Sequence, residues 1–166
     1  MDFLVNDGGG IVGRKLITEQ DEAWYDFLMD VNMRSVFLCT REVVPMMPRG
    51  GSIINFSSQA ARDGGGPGAS VYATAKAAVM CHTRAMAKEL GPQGIRVNAL
   101  APGMSNTSFH DRFTKPEARE NLHHTAPLRR EGEASEVADL VCYLASAESS
   151  YITGTNIDIN GGTLFS

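Results

Sequence analysis

Four short apolar segments that alternate with helix-forming stretches most constrain what this sequence can fold into. The apolar segments are residues 3–5, 52–56, 95–101 and 156–159. The helix-forming stretches are residues 18–44, 70–90 and 133–147. Strands that alternate with helices at this spacing predict a parallel sheet covered on both faces. We therefore expect an α/β fold in one domain that spans residues 1–166.

The first predicted helix carries a single apolar face. That face follows the i, i+3, i+4, i+7 spacing of a helix and consists of Trp24, Phe27, Leu28 and Val31. Thr18 and Asp21 fit a capping box at the start of this helix, and Pro45 is expected to end it near residue 44. Residues 104–127 are polar and predict a mobile loop with a short helix.

Charge and cysteine content exclude several classes of function. The 166 residues carry a net charge of −4, which argues against a nucleic-acid binder. The sequence has no run of 18 apolar residues, so no membrane span is predicted. It also has no N-terminal basic segment followed by an apolar one, so no secretory signal is predicted. We therefore expect a cytoplasmic protein. Cys39, Cys81 and Cys142 are far apart, which favours buried thiols over disulfides. The histidines lack ligand spacing, and no metal is predicted.

Polar and small residues follow three of the four predicted strands. They are Asn6 to Gly8 after the first strand, Ser57 and Ser58 after the second, and Pro102 and Gly103 with Ser105 and Thr107 after the third. Ligands of open parallel sheets bind outside the carboxyl ends of the strands. We expect these segments to form one site.

Tyr72 and Lys76 are the candidate chemical groups. A spacing of four residues stacks them on one face of the predicted helix. A nearby ammonium is expected to lower the pKa of a phenol, which suits a general acid or base. The alternative is a half-exposed tyrosine beside a surface lysine. Ser58 would place a hydroxyl near the phenol. Asn32 lies on or beside the apolar face of the first predicted helix, and its amide requires a hydrogen-bond partner there.

These motifs resemble the short-chain dehydrogenase/reductase family of Rossmann-fold oxidoreductases, which use NAD or NADP. The resemblance runs from residue 2 to residue 166. Its six motifs are Val-Asn-Asp-Gly-Gly at 5–9, Val-Asn at 31–32, Ile-Asn-Phe-Ser-Ser at 54–58, Tyr-Ala-Thr-Ala-Lys at 72–76, Ile-Arg-Val-Asn-Ala-Leu-Ala-Pro-Gly at 95–103, and the segment 151–162.

The resemblance implies a role for each candidate residue. Tyr72 exchanges the substrate proton, Lys76 lowers its pKa and binds the nicotinamide ribose, and Ser58 holds the substrate carbonyl. Asn32 anchors a water of the proton relay, and Ser57 is a reserve for Ser58. Cofactor contacts are implied for Asn6, Gly8, Tyr72, Lys76, Pro102, Gly103, Ser105 and Thr107. Residues 104–127 would form the substrate lid.

The chain departs from the family pattern in four ways. Ser105 stands where the family usually has an aliphatic residue, and the interval from Ser58 to Tyr72 is one residue longer than the commonest pattern. Asp7 and Gly8 stand where the family has Asn and Ala, which adds charge and flexibility beside the cofactor. No Gly-rich strand-turn-helix precedes the first strand, so we expect a doubly wound Rossmann-like sheet without its N-terminal Gly-rich βαβ portion. The chain would then be the C-terminal two-thirds of such a fold, with residues 3–5 as an edge strand.

Three functional readings follow from this resemblance. The first is a ketone reductase similar to 3-oxoacyl-carrier-protein reductases, which acts on a small or acyl-carrier-bound carbonyl substrate with NAD or, slightly favoured, NADPH. The second is a sugar or steroid alcohol dehydrogenase. The third is a truncated, inactive homologue that serves as an oligomerisation or binding module. A homo-oligomer, either a dimer or a tetramer, is expected for each of them.

Overall fold

The computed structural model describes residues 1–165 and contains six strands and seven α-helices. The strands are β1 (Phe3–Asn6), β2 (Ser52–Phe56), β3 (Arg96–Pro102), β4 (Ser105–Asn106), β5 (Gly132–Glu133) and β6 (Asn156–Ile159). The helices are α1 (Glu22–Met29), α2 (Ser35–Val43), α3 (Ala60–Asp63), α4 (Ser70–Leu90), α5 (Ser108–Phe113), α6 (Pro116–Thr125) and α7 (Ala134–Ala145).

The main sheet has the strand order β1-β2-β3-β6, and every neighbouring pair is parallel. Asn6 is level with Asn55, and Phe56 is level with Leu100. The carboxyl ends of the strands therefore meet at one edge of the sheet, as expected. The α/β prediction is confirmed, and β1 lies at the edge of the sheet within residues 1–165.

Helices cover both faces of this sheet. On one face α4 packs on β2 and β3 through a cluster of Ile53, Ala87, Leu90, Ile95 and Val97. On the other face Leu144 of α7 packs against Ile54 and Leu100. Adjacent residues of one strand point to opposite faces, so Ile53 and Ile54 enter different layers of the core.

The predicted helix over residues 18–44 is interrupted in its middle. Its α-helical part begins after Asp21, whose side chain accepts a hydrogen bond from Trp24 N at 2.8 Å. A π-helical turn, Asp30–Arg34, separates α1 from α2. The prediction that Phe27 lies on the buried face is wrong, because its side chain is 47% exposed while Leu28 is 2% exposed.

Two further expectations are corrected by the structure. The segment 104–127 is not a loop with one short helix, because it contains the short strand β4, which pairs in parallel with β5, and the two helices α5 and α6. Cys39, Cys81 and Cys142 are exposed rather than buried. The residues on either side of each cysteine misled the prediction, since apolar neighbours in a helix lie 100° away around its axis.

Residues 1–165 lack two features. None of the helices there is both long and apolar enough to span a bilayer. The same residues hold no group of three or more His, Cys, Asp or Glu side chains arranged to bind a metal ion.

Candidate active site

The site lies at the carboxyl edge of the main sheet, where the segments after β1, β2 and β3 meet the start of α4. The structure brings together Ser58, Tyr72 and Lys76 there. Tyr72 and Lys76 lie one turn apart on α4, and both are buried, with exposures of 8% and 4%. A phenol and an ammonium that are this deeply buried need hydrogen-bonding or charged partners.

Ser58 is the serine that faces Tyr72. Its hydroxyl acts on the phenol of Tyr72 and lowers the pKa of that phenol. Ser58 Oγ also accepts a hydrogen bond from Ala60 N at 3.2 Å, at the start of α3. Ser57 instead donates its hydroxyl hydrogen to the backbone oxygen of Lys76 at 2.9 Å, so its hydroxyl is committed to holding α4 on β2. The geometry therefore favours Ser58 over Ser57.

Lys76 reaches from α4 to the end of β2. Its ammonium donates to the backbone oxygen of Phe56 at 2.8 Å and lies 5.9 Å from the centre of the Tyr72 ring. Burial lowers the pKa of Lys76 to about 8, and the carboxylate of Asp7 partly opposes this shift. Burial raises the pKa of Asp7, which Lys76 in turn lowers.

The lowering of the Tyr72 pKa expected from Lys76 does not dominate, and the role of Lys76 toward the phenol stays a prediction. Burial raises the pKa of Tyr72 above its ordinary value, and the Ser58 hydroxyl only partly offsets this shift. The physical reason is that desolvation penalises the phenolate, while the ammonium is directed at the Phe56 carbonyl. Tyr72 is thus held as a neutral phenol, which is a proton donor.

Asn32 lies in the π-helical turn and is fully buried. Its side chain accepts from Gly10 N at 2.9 Å and donates to the oxygens of Gly10 at 3.0 Å and Leu28 at 2.9 Å. Gly9 adopts a φ of +118°, and an added Cβ there would lie 2.5 Å from Asn32 Oδ1. Asn32 therefore fixes the glycine loop after β1, and its water-anchoring role stays a prediction.

Asn6 belongs to a buried chain of polar side chains that crosses the sheet. Its Nδ2 donates to Asn55 Oδ1 at 2.8 Å and to Thr40 Oγ1 at 3.4 Å. Asn55 Nδ2 then donates to Thr83 Oγ1 at 2.9 Å. The Asn6 side chain thus joins β1 to α2 and β2, and its cofactor contact stays a prediction. The signal for Asn55 was a single polar residue inside the apolar strand at 52–56.

The remaining predicted cofactor residues lie at the same edge, with different surroundings. Gly8 is exposed, and an added Cβ would meet nothing within 4 Å. Pro102 ends β3, and the Gly103 N–H donates to Ile159 O at 3.0 Å. Ser105 lines a cavity of about 110 Å³ together with Gly132 and Glu136, while Thr107 directly precedes α5. Contact between these residues and a cofactor stays a prediction.

Sequence reasoning missed the aromatic cover of the site. The Phe109 ring of α5 lies 6.4 Å, centroid to centroid, from the Tyr72 ring. Phe109 and Phe113 pack against the buried cluster of Ile11, Ala69 and Tyr72. The lid is therefore seated directly on the candidate proton donor. Two phenylalanines four residues apart in an otherwise polar segment were the available signal.

Comparison with protein families identifies the chain. The family model described as "Enoyl-(Acyl carrier protein) reductase" matches residues 1–163. The 3-oxoacyl-[acyl-carrier-protein] reductase FabG of Thermotoga maritima is 43% identical over 164 residues, which cover 98% of this chain and 65% of that protein. The chain thus spans about 65% of the length of the curated relatives it matches.

Solved structures agree with this assignment. The short-chain dehydrogenase/reductase (glucose/ribitol dehydrogenase) of Brucella melitensis superposes with a TM-score of 0.93 at 30% identity, covering 100% of this chain and 66% of that one. The angucycline C-6 ketoreductase LanV with bound NADP superposes with a TM-score of 0.89 at 32% identity, covering 99% and 63%. The chain belongs to the short-chain dehydrogenase/reductase family and has its Rossmann-type α/β fold.

Proposed function

We propose that this protein is an NAD(P)-dependent oxidoreductase that reduces a ketone to a secondary alcohol, with Tyr72 as the general acid. The substrate class that we propose is a 3-oxoacyl group, free or carried on an acyl carrier protein. The observation that carries the proposal is the buried phenol of Tyr72, whose ring centroid lies 5.9 Å from the ammonium of Lys76 and whose pKa responds to the hydroxyl of Ser58. The likeness to 3-oxoacyl-[acyl-carrier-protein] reductases supports the substrate class.

The residues at the sheet edge fit the nicotinamide end of a dinucleotide. Among residues 1–165 the Lys76 ammonium bonds only the Phe56 oxygen, so two of its three N–H donors remain for ribose hydroxyls. Gly8 leaves open space for a ligand to approach the backbone. Asn6, Pro102, Gly103, Ser105 and Thr107 are proposed to complete the cofactor contacts. Either NAD or NADP is compatible, and NADPH is favoured by the resemblance.

Each catalytic side chain has a distinct task in reduction. Ser58 donates a hydrogen bond to the substrate carbonyl oxygen and orients it toward Tyr72. Tyr72 donates its hydroxyl proton to that oxygen, which becomes the alcohol. Lys76 stabilises the phenolate that remains until solvent returns a proton. A reduced nicotinamide held by Lys76 and the other proposed cofactor contacts would be the source of the hydride that the carbonyl carbon requires. Asn32 positions the loop beside them.

Substitution of Tyr72 tests the proposal. Oxidation of NADPH is followed by absorbance, with a 3-oxoacyl thioester as substrate, for the protein and its Tyr72→Phe variant. Loss of a general acid should reduce turnover by about 10²–10⁴-fold. The control is Tyr143→Phe, since Tyr143 is 38% exposed on α7, away from the site. Unchanged circular dichroism with near-normal turnover of Tyr72→Phe would remove Tyr72 from the mechanism.

Two other functions are distinguished by the same reagents. The likeness to the Brucella melitensis protein, described as a glucose/ribitol dehydrogenase, favours a sugar alcohol as a second substrate class. Faster turnover with a keto-sugar than with the 3-oxoacyl thioester would select that class. Fluorescence titration with NADPH tests the inactive binding module, because cofactor binding at micromolar concentration contradicts it.

We further propose that the protein is one domain and forms a dimer or tetramer in the cytoplasm. Three large apolar side chains on the first two helices support self-association, because Phe27, Phe37 and Leu38 are 47%, 45% and 39% exposed. Light scattering of the purified protein measures its mass directly. A monomer at micromolar concentration would contradict the oligomer.

A further inference from the structure

The lid helix α5 places an aromatic ring over the candidate proton donor. Phe109 packs on Tyr72 at 6.4 Å between ring centroids, with the ring planes inclined by 36°. Phe113 supports Phe109 from the side, at 5.3 Å between ring centroids and with the ring planes inclined by 62°. Both phenylalanines contact the same buried patch of Ile11, Ala69 and Tyr72. This apolar contact closes the lid side of the site.

An ionic cluster fixes the lid in this position. Arg119 of α6 donates to Asp111 of α5 at 2.6 Å, to Glu131 just before β5 at 2.6 Å, and to Asn106 of β4 at 3.2 Å. The Arg119 and Glu131 side chains are 25% and 12% exposed, which strengthens their pairing over that of a free surface pair, whereas Asp111 is 61% exposed. The position of α5, and with it that of Phe109, is therefore set by the apolar contact with Tyr72 and by the ionic contact with Arg119.

The depth of Tyr72 depends on this cover. Tyr72 is 8% exposed, and desolvation is the main cause of its raised pKa. The β2 side of the phenol is occupied by Ser58, and the α4 side by the Lys76 ammonium. On the lid side, the ring of Phe109 is the nearest aromatic group.

The other charged groups around the phenol do not replace the lid as the cause. Asp7 acts on Lys76, as its counter-charge. His110 follows Phe109, with ring centroids 5.0 Å apart, and burial lowers its pKa, which disfavours its charged form. We therefore expect removal of the aromatic cover to readmit water to Tyr72.

We propose that Phe109 is a positioning residue for Tyr72: with α5 seated, its ring excludes water from the phenol and keeps it protonated as the donor for ketone reduction. The part of this inference that concerns catalysis rests on the proposed function. Its physical part, the control of Tyr72 ionisation by a lid residue, exists without substrate or cofactor.

Tyrosine ionisation tests the proposal without an activity assay. Absorbance near 295 nm is recorded within milliseconds of a jump to each pH between 8 and 12, before alkaline unfolding. Subtraction of the Tyr72→Phe protein isolates Tyr72 from the three more exposed tyrosines. Phe109→Ala should lower the pKa of Tyr72 by about one unit, because it restores solvation. Phe109→Leu keeps an apolar cover and should retain the parent value.

The control is Phe37→Ala, which removes an equal ring that is 45% exposed on α2 and should leave Tyr72 unchanged. Arg119→Gln is the second route, since it releases the lid without altering Phe109, and it should also lower the pKa of Tyr72. If the Phe109→Ala protein fails to fold, the Arg119→Gln protein provides the test instead. An unchanged Tyr72 titration in the folded variant would overturn the proposal.

The outcome is independent of the proposed reaction. If Tyr72→Phe retains turnover, the proposed function fails, whereas the titration still reports whether Phe109 controls the phenol. If both hold, the alkaline limb of the pH–turnover profile should move to lower pH in Phe109→Ala and not in Phe109→Leu.

Discussion

The buried ammonium of Lys76 should make the protein more stable as the pH rises from 7 to 10. Lys76 is 4% exposed, and burial lowers its pKa from an ordinary value of 10.5 to about 8. Between these two values the unfolded chain binds more protons at this position than the folded chain does. Stability therefore increases with pH through this window, and the full penalty of burial applies below pH 8.

The size of this effect follows from the shift. One pKa unit corresponds to about 1.4 kcal/mol, so the two pH units between 8 and 10 yield a gain of about 2–3 kcal/mol. Tyr72 acts in the opposite direction only at higher pH. Its folded pKa is raised, so its contribution is present below its unfolded pKa and is lost as the pH rises through the folded value. Measurement below pH 10 therefore isolates Lys76.

Urea unfolding at several values between pH 7 and pH 10 measures the effect, with Lys76→Met as the variant. The difference in unfolding free energy between the parent and Lys76→Met should change by about 2–3 kcal/mol in favour of the parent across this range. Lys88→Met is the matched control, because Lys88 lies exposed on the same helix, and it should follow the parent at every pH. Parallel curves for the parent and Lys76→Met would refute the burial argument.

Three substitutions test other parts of the structure. Asp7→Asn should lower the pKa of Lys76 below about 8, because it removes the opposing carboxylate; lysine ¹³Cε resonances report this, and an unmoved titration would contradict the pairing. Asn32→Ala should cost about 2–4 kcal/mol of unfolding free energy, since three hydrogen bonds of a buried side chain are lost. A cost below about 0.5 kcal/mol would show that the glycine loop does not depend on Asn32. Arg62→Met should cost about 3 kcal/mol of unfolding free energy, because it leaves Asp158 unpaired at 16% side-chain exposure. The double variant with Asp158→Leu should recover most of that cost, and additive losses would contradict the pairing.

The sheet could be predicted from the sequence because each strand is short, apolar and ended by turn residues. Buried parallel strands read as continuous apolar runs, and this pattern located all four strands of the main sheet. It also placed Ser58, Tyr72 and Lys76 at one edge. Their mutual distances required the structure, because they depend on how α4 crosses β2.

The surroundings of Tyr72 could not be predicted from its spacing to Lys76. The spacing indicates that two side chains share a helix face, but it does not show how far either is desolvated. Burial outweighs the neighbouring charge here, so the pKa of the phenol rises instead of falling. The position of Phe109 is equally hidden from the sequence, since it depends on Arg119 joining α5 to residues before β5.

The interruption at Asn32 escaped prediction for a different reason. Helical periodicity averages over several turns and does not detect one extra residue in a turn. A fully buried amide beside an apolar face was nevertheless a warning, because such a group needs partners off its own helix. Gly10 supplies them.

The most direct test of the proposed reduction is the transfer of deuterium from cofactor to product. NADPH labelled at nicotinamide C4, in each of its two stereochemical forms, is incubated with the protein and a 3-oxoacyl thioester, and the alcohol is analysed by mass spectrometry. One of the two labelled forms should yield a product with a single deuterium on the carbinol carbon, and Tyr72→Phe should yield almost none. An alcohol without deuterium from either form, or no alcohol at all, would contradict the assignment of this site to ketone reduction.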